Sequence, residues 1–336
     1  MARTYLSPPG RRRTRRRLSA VAGTTVVVVF VLVWWLSGGD ETEPGLGVLP
    51  SGPLTPAGPA EATGGGSDTL ERGAAPSHTD ASPPADLANR IQAAVQAGQR
   101  ALEKDDILTA QTQMSAALRA GASGEQATEL RARLVQLANK VVFSPPRVTG
   151  DPRSATYLVK RGDNLRKIAK QHKITADLIA RVNNLRNKSM IREGARLKVL
   201  RGPFQAVVLK RDHTMDIYLD DVLVRTYKVG LGEHDSTPTG TWRVKNKLTN
   251  PTYFPPRGGK IIQADDPKNP LGEHWIGLEG VAGEAKNQLR YGIHGTNDPN
   301  SIGKDMSLGC IRLLNEDVTE LYSLLVVGSS QVIVKD

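Results

Sequence analysis

The sequence predicts a multidomain chain: an N-terminal transmembrane helix, a three-helix segment, a small strand-helix-helix-strand (βααβ) unit and a mainly β domain at the C-terminus. Three observations lead there. Residues 18–36 carry no charge, residues 86–143 repeat apolar positions at helical spacing, and residues 203–336 break into short alternating runs set apart by Gly, Pro, Asn and Asp. A chain of 336 residues has room for two or three folded domains. Its 33 Gly, 21 Pro and aromatic content of 4% assign part of it to linker.

Residues 1–17 form a basic head. Arg3, Arg11, Arg12, Arg13, Arg15, Arg16 and Arg17 account for seven of the eleven net positive charges, so the basic character belongs to this end and no nucleic-acid surface is expected elsewhere. Residues 18–36 make a helix about 28 Å long, enough to cross a bilayer. The arginines hold its N-terminal end in the cytoplasm, and Trp34 and Trp35 suit the membrane interface. The run exceeds a signal-peptide core and no small-residue cleavage pattern follows it. An uncleaved single-pass anchor is therefore expected over a cleaved signal peptide, with all later residues in the periplasm or cell wall. Residues 37–85, rich in Gly, Pro, Ser and Thr, read as a disordered linker with a coil span of about 40 Å and a stretched limit of about 170 Å.

In residues 86–143, Leu87, Ile91, Val95 and Leu102 recur at helical spacing, as do Met114 with Leu118, and Leu130, Leu134, Leu137 and Val141. Gly121 suits the end of the second helix, Ser123 to Gln126 form a capping box for the third, and Pro145-Pro146 stop it. Three antiparallel helices with a faint tetratricopeptide-like character are expected. Their expected role is spacer, self-association or a docking surface for a protein partner, and nothing in them is catalytic.

Residues 154–201 are compact and basic, with twelve Lys or Arg against three acids over 156–200. Residues 156–160 alternate as a strand, Asp163 and Thr175 suit two helix caps, and residues 195–200 read as a returning strand. Tyr157, Val159, Gly162, Asp163, Leu165, Ile168, Ala169, Asn183, Asn184, Leu185, Ile191, Gly194, Leu197 and Val199 together resemble the LysM (lysin motif) family. Asn164 and Arg166 depart from its usual Thr and small residue. The resemblance implies binding of N-acetylglucosamine-containing glycans such as peptidoglycan, at Gly162, Asp163, Asn164, Asn183 and Asn184. The alternative for these residues is a solvated basic face.

From residue 203 the charge is balanced, with fifteen basic and seventeen acidic side chains. Residues 205–210, 216–220, 222–230, 241–245 and 331–335 read as strands, and 315–325 as a helix opened by Asn315. This domain holds Cys310, the one cysteine of the chain, so no internal disulfide is possible. A thiol attacks only as thiolate and needs a base. Of six histidines, His294 stands sixteen residues before Cys310, at the entry to a Gly-punctuated loop that can fold back to bring imidazole beside sulfur. Two alternatives are a pair of structural core residues and a zinc site drawing on His234, His274, His294 and Cys310. The second lacks any short ligand spacing.

His294-Gly295-Thr296, followed by Ser307-x-Gly309-Cys310-Ile311-Arg312, resembles the signature of the L,D-transpeptidase catalytic domain, and residues 236–242 and 275–278 resemble further motifs of that family in order. Leu308 stands where many members have a second histidine. The resemblance covers residues 203–336 and implies a mainly β sandwich that remodels peptidoglycan through a cysteine acyl-enzyme. Cys310 is then the nucleophile and His294 its base, held in one tautomer by the Gly295 carbonyl. The N–H groups of Gly309 and Cys310 suit a developing oxyanion. Arg312 either binds a peptide carboxylate or orders the loop. Ser307, Thr296 and Tyr291 complete the expected substrate-binding set, Ser307 as a hydrogen-bonding support.

Under that resemblance a stem tetrapeptide is cut after its third residue and passed to an amine, forming 3-3 crosslinks, and carbapenems acylate Cys310. No cofactor or metal is expected. The LysM unit would raise the local concentration of strands by tethering. Water or a protein amine as acceptor, giving an L,D-carboxypeptidase or lipoprotein attachment, and a non-catalytic peptidoglycan-binding scaffold are the alternatives.

Overall fold

The structure, a computed structural model, describes residues 85–256 and 258–336. The basic head, the expected transmembrane helix at 18–36 and the linker up to residue 84 lie outside the described residues. Among the described residues no helix is long and apolar enough to cross a membrane.

Three helices come first: α1 (Ala85–Glu103), α2 (Ile107–Arg119) and α3 (Gly124–Val141). Asp106 caps α2 by accepting from Thr109 N–H at 3.1 Å, and Gly121, at φ +104°, turns the chain out of it. The capping box expected at the start of α3 does not form. Ser123 makes no side-chain cap bond because Gly124 opens the helix at φ +61°, outside the helical range.

The next unit pairs β1 (Ser154–Leu158) antiparallel with β2 (Arg196–Leu200) around α4 (Leu165–Gln171) and α5 (Ala176–Val182). Thr175 caps α5, accepting from Leu178 N–H at 3.0 Å. Asn164, not the expected Asp163, caps α4, because the Asp163 carboxylate is taken by Lys160 N–H and Tyr157 O–H at 2.8 and 2.9 Å.

The C-terminal unit runs β3 (Phe204–Leu209), β4 (Thr214–Leu219), β5 (Val222–Lys228), β6 (Leu231–Gly232), β7 (Gly240–Thr249), β8 (His274–Ala282), β9 (Tyr291–His294), β10 (Asp305–Ser307), β11 (Ile311–Arg312), α6 (Asn315–Leu324) and β12 (Gln331–Lys335). Eight strands form one mixed sheet in the order β11-β9-β8-β7-β12-β3-β4-β5, and β10 pairs with β6 beside it. β3 and β12 alternate buried and partly exposed positions, β4 is buried throughout, and Trp242, Ile276, Ile293, Leu321 and Val332 fill the core with α6. Asn315 is the first helical residue of α6 and not its cap; Leu314 precedes it.

The three units are fused. Ile91, Val95, Met114, Leu130 and Leu134 pack on Tyr218 and Leu223 of the sheet, each burial contributing about 2 kcal/mol. The helical segment thus spends the apolar face formed by Ile91, Val95, Met114, Leu130 and Leu134 on the sheet of the same chain. Arg131 meets the buried carboxylate of Asp216 at 3.0 Å. Lys198 Nζ closes the end of α3 by donating to Val141 O and Ser144 O at 2.7 and 2.8 Å. One apolar core runs from Val141 through Leu178 and Leu200 into Phe204 and Ile217. Between β2 and β3 only residues 201–203 remain, and a side chain at Gly202 would meet Lys173 O at 2.1 Å. The βααβ unit is docked where the sequence suggested a tether.

Candidate active site

Pairing across β8, β9 and β11 builds the site. Trp275 lies opposite His294, and Arg312 lies opposite His294 on the other side. Residues directly opposite in a sheet share a face, so these three side chains form a row. Cys310 precedes Arg312 by two residues, a spacing that returns a side chain to the same face of an extended chain. The Gly292 N–H, two residues before His294, is directed at the Cys310 thiol. Gly292 is needed there, since a side chain would strike the Trp275 ring at 2.5 Å. Trp275 in turn stacks on the His294 imidazole, with centroids 5.7 Å apart and planes 18° apart.

His294 Nδ1 lies 2.7 Å from Gly295 O. A carbonyl only accepts, so Nδ1 carries the proton and Nε2 keeps its lone pair. Asn315 fixes the turn that carries this carbonyl: its Oδ1 accepts from Thr296 N–H at 3.1 Å and its Nδ2 donates to Thr296 O at 3.0 Å. The amide sits so close that a side chain at Gly295 or Gly272 would meet Oδ1 at 2.0 or 2.1 Å. A helix-opening reading of Asn315 does not anticipate this clamp.

The cysteine loop is held equally closely. Ser307 Oγ donates to Cys310 O at 2.6 Å and accepts from Gly309 N–H at 3.1 Å. Thr237, from the run that resembled a family motif, accepts from Gly232 N–H and donates to Gly309 O at 2.9 and 3.0 Å. Gly309 has φ +118°, and a side chain there would reach Ser236 O and the Tyr291 ring at 2.7 Å. No other residue fits.

Burial sets the charge states. His294 is buried, and desolvation pulls its pKa down to about 4, assisted by the Arg312 charge and opposed by the bond to Gly295. Burial pushes the Cys310 thiol up, opposed by the Gly292 N–H and Arg312. Both groups rest neutral near pH 7. Arg312 has a buried Nε with no partner among the described residues.

Cys310, His294, Ser307, Arg312 and Trp275 all line one cavity of about 550 Å³, roofed by Tyr253, Phe254 and Pro255 of the connection between β7 and β8. Leu308 is exposed at its mouth. Two expected site residues take other places. Thr296 is buried and faces a second cavity, where its Oγ orders the loop at Asp298. Tyr291 packs on Trp242, with ring centroids 5.0 Å apart, beneath Gly309. The Gly309 N–H, expected to face an oxyanion, is occupied by Ser307 Oγ.

Most of the expected glycan residues make bonds within their own unit. Asn183 is spent on the backbone, donating to Ile179 O and Lys198 O and accepting from Lys198 N–H. Asp163 and Asn164 are spent on local bonds, and Gly162 O accepts from Lys167 Nζ at 2.9 Å. Asn184 faces a cleft against α6.

Comparisons with known proteins accord with this architecture. The YkuD family model, described as the L,D-transpeptidase catalytic domain, matches residues 203–334, and the LysM domain model matches residues 157–200. YqjB of Bacillus subtilis is 37% identical over 138 residues, 41% of this chain and 74% of that protein. YkuD of Bacillus licheniformis is 32% identical over 180 residues, 52% of this chain and 94% of that protein. Both carry the name L,D-transpeptidase. A solved L,D-transpeptidase from Mycobacterium smegmatis is 19% identical over 43% of this chain and 64% of that one, with a TM-score of 0.31.

Proposed function

This chain belongs to the L,D-transpeptidase family, and on that premise we propose that it acylates Cys310 with a peptidoglycan stem tetrapeptide and passes the acyl group to an amine. The observation that carries the reading is the row of Trp275, His294 and Arg312 with Cys310 on the same face, all opening on one cavity. Sγ of Cys310 attacks the carbonyl after the third stem residue while Nε2 of His294 takes the thiol proton. The Cys310 N–H faces the developing oxyanion. The C–N bond then breaks, His294 returns the proton to the departing D-alanine amine, and a thioester remains. An amine from another stem attacks it, His294 takes that proton, and the thiol is regenerated with a new amide.

The Nε of Arg312, buried and without a partner among the described residues on a side chain that lines the cavity, supports a role in holding a substrate carboxylate. The LysM unit supports peptidoglycan as the polymer. Anchoring through residues 18–36 and a catalytic unit in the periplasm or cell wall complete the proposal.

The test is incubation of the full chain with purified disaccharide-tetrapeptide and mass analysis of the products. Crosslinked dimer is expected, with Cys310→Ala yielding none. Tripeptide alone would assign water as the acceptor, and unchanged substrate would refute catalysis.

A further inference from the structure

The cavity at Cys310 carries charge of one sign. Among the described residues that line it are Arg290 and Arg312 and no Asp or Glu, the rest being mainly Pro, Leu and aromatic side chains. Arg312 stands level with His294 in the sheet and suits a carboxylate near the scissile bond. Arg290 has no part in that chemistry. It is exposed and has no ion-pair partner among the described residues.

Local conformation does not ask for an arginine at this position. Arg290 ends the turn between β8 and β9 at φ +73°, in the left-handed region that Gly and Asn occupy with least strain. The turn is fixed from β8: Gly280 N–H donates to Gln288 O at 3.0 Å, and Asn287 N–H donates to Gly280 O at 3.1 Å. Tyr291 then pairs with Leu278. A long cation thus stands where the backbone favours a short residue, and its side chain lines the catalytic cavity. Strain of this kind persists where the surrounding structure fixes it, and it clusters at ligand sites.

Spacing decides what Arg290 can read. Tyr291 stands about 10 Å along β9 from His294, and Arg290 is one residue farther in the chain. The two cations are therefore stepped along the strand, Arg312 level with the imidazole and Arg290 beyond its far end. A ligand that satisfies both carries two anionic groups, one beside the reacting carbonyl and one several bonds away. We propose that Arg290 takes a second carboxylate of the donor stem, remote from the scissile bond, so that the cavity selects stems bearing that group as the free acid. The proposal rests on the reading that a stem tetrapeptide acylates Cys310. The remote carboxylate can belong to the second residue or to the side chain of the third; the recognition chemistry is the same, and substrate carboxamides separate them.

The experiment measures kcat/KM for three tetrapeptides: the free acid, the second-residue carboxamide and the third-residue side-chain carboxamide. Each is tested on the full-length wild type, on Arg290→Asn, which suits the left-handed backbone, and on Arg290→Lys, which keeps the charge. Wild type should favour the free acid over at least one carboxamide about fivefold. Arg290→Asn should lose that preference by slowing only the substrates that keep the carboxylate, and Arg290→Lys should retain part of it. Equal turnover of all three by wild type, or a preference that survives in Arg290→Asn, overturns the proposal. So does an equal loss on every substrate, which would make Arg290 a turn-holding residue. If no tetrapeptide acylates Cys310, that reading fails and calorimetric binding to Cys310→Ala decides Arg290. A margin for the free acid that disappears with Arg290→Asn upholds its role, and equal affinities or no binding overturn it.

Discussion

A neutral resting pair is the sharpest consequence of the site's burial. A thiol at the ordinary value of 9.0 is about 1% thiolate at pH 7, and burial moves Cys310 above that value. His294, at about 4, is protonated in about one molecule in a thousand at pH 7. The thiolate–imidazolium pair is thus the minor form, and under the proposed mechanism His294 takes the proton as the bond to carbon forms. Two measurements follow. The acid limb of kcat/KM should fall near pH 4, where His294 gains its proton, and not near 6.5. The rate of Cys310 alkylation by iodoacetamide should climb about tenfold per pH unit from 7 to 8 and keep climbing beyond pH 9. Arg312 lowers both values, so Arg312→Met should move the thiol further up and the imidazole back toward 6.5. An alkylation rate already at its plateau by pH 7 would refute the reasoning, since it requires a preformed thiolate.

Four further outcomes are expected. Asn315→Leu removes both bonds to Thr296 and strands its N–H and C=O, costing about 2–4 kcal/mol in urea unfolding and lowering kcat by releasing the Gly295 carbonyl from its place beside His294. Gly309→Ala at φ +118° meets Ser236 O at 2.7 Å and should abolish turnover in the soluble fraction, whereas Leu308→Ala at the exposed mouth should retain it. Arg131→Met leaves Asp216 unpaired and should cost about 3–5 kcal/mol at pH 7. Because burial already raises the Asp216 pKa and Arg131 opposes that, the loss should shrink as pH falls and the carboxyl protonates; a loss independent of pH in chemical denaturation would count against this. A chain lacking residues 85–143 uncovers Tyr218 and Leu223 and should show a lower unfolding midpoint than the full chain, with aggregation on heating.

Much of this was legible because local rules and tertiary packing agree. Period-2 runs became strands, Leu87, Ile91 and Val95 lined one helix face, and the spacing of Cys310 and Arg312 puts them on one face as soon as that segment is extended. The capping misses have separate causes. Gly124 at φ +61° leaves Ser123 without a cap bond, whereas at Asp163, as at Asn183, a polar side chain goes to a backbone group the fold leaves unpaired. Lys160 N–H claims Asp163, and Lys198 claims Asn183 across fifteen residues of chain. Asn315 was invisible as a clamp because its partner, Thr296, is brought to it by the return of β11 beside β9. Trp275 could be found from sequence as a large aromatic in a motif-like run, but its stacking on His294 depends on strand register, which no local pattern specifies.

Fusion of the units changes what a binding unit can contribute. A tethered LysM domain would act through effective concentration, which depends on linker length and tolerates many geometries. Here Glu320 of α6 accepts from Arg225 and Tyr227 at 2.9 Å and also from Arg181 of α5, while both guanidinium groups cover the Phe143 ring at the end of the helical segment, at 3.7 and 4.9 Å. One carboxylate and one ring therefore tie all three units at a single point. Held this way, the LysM unit keeps one position relative to the catalytic unit, and under the proposed function it would serve strands whose stem peptides fall at the distance the junction sets. Glu320→Ala leaves Arg181 and Arg225 without their shared acceptor, and its effect should be larger on polymeric sacculi than on free tetrapeptide. Equal effects on both substrates would mean that the junction serves stability alone.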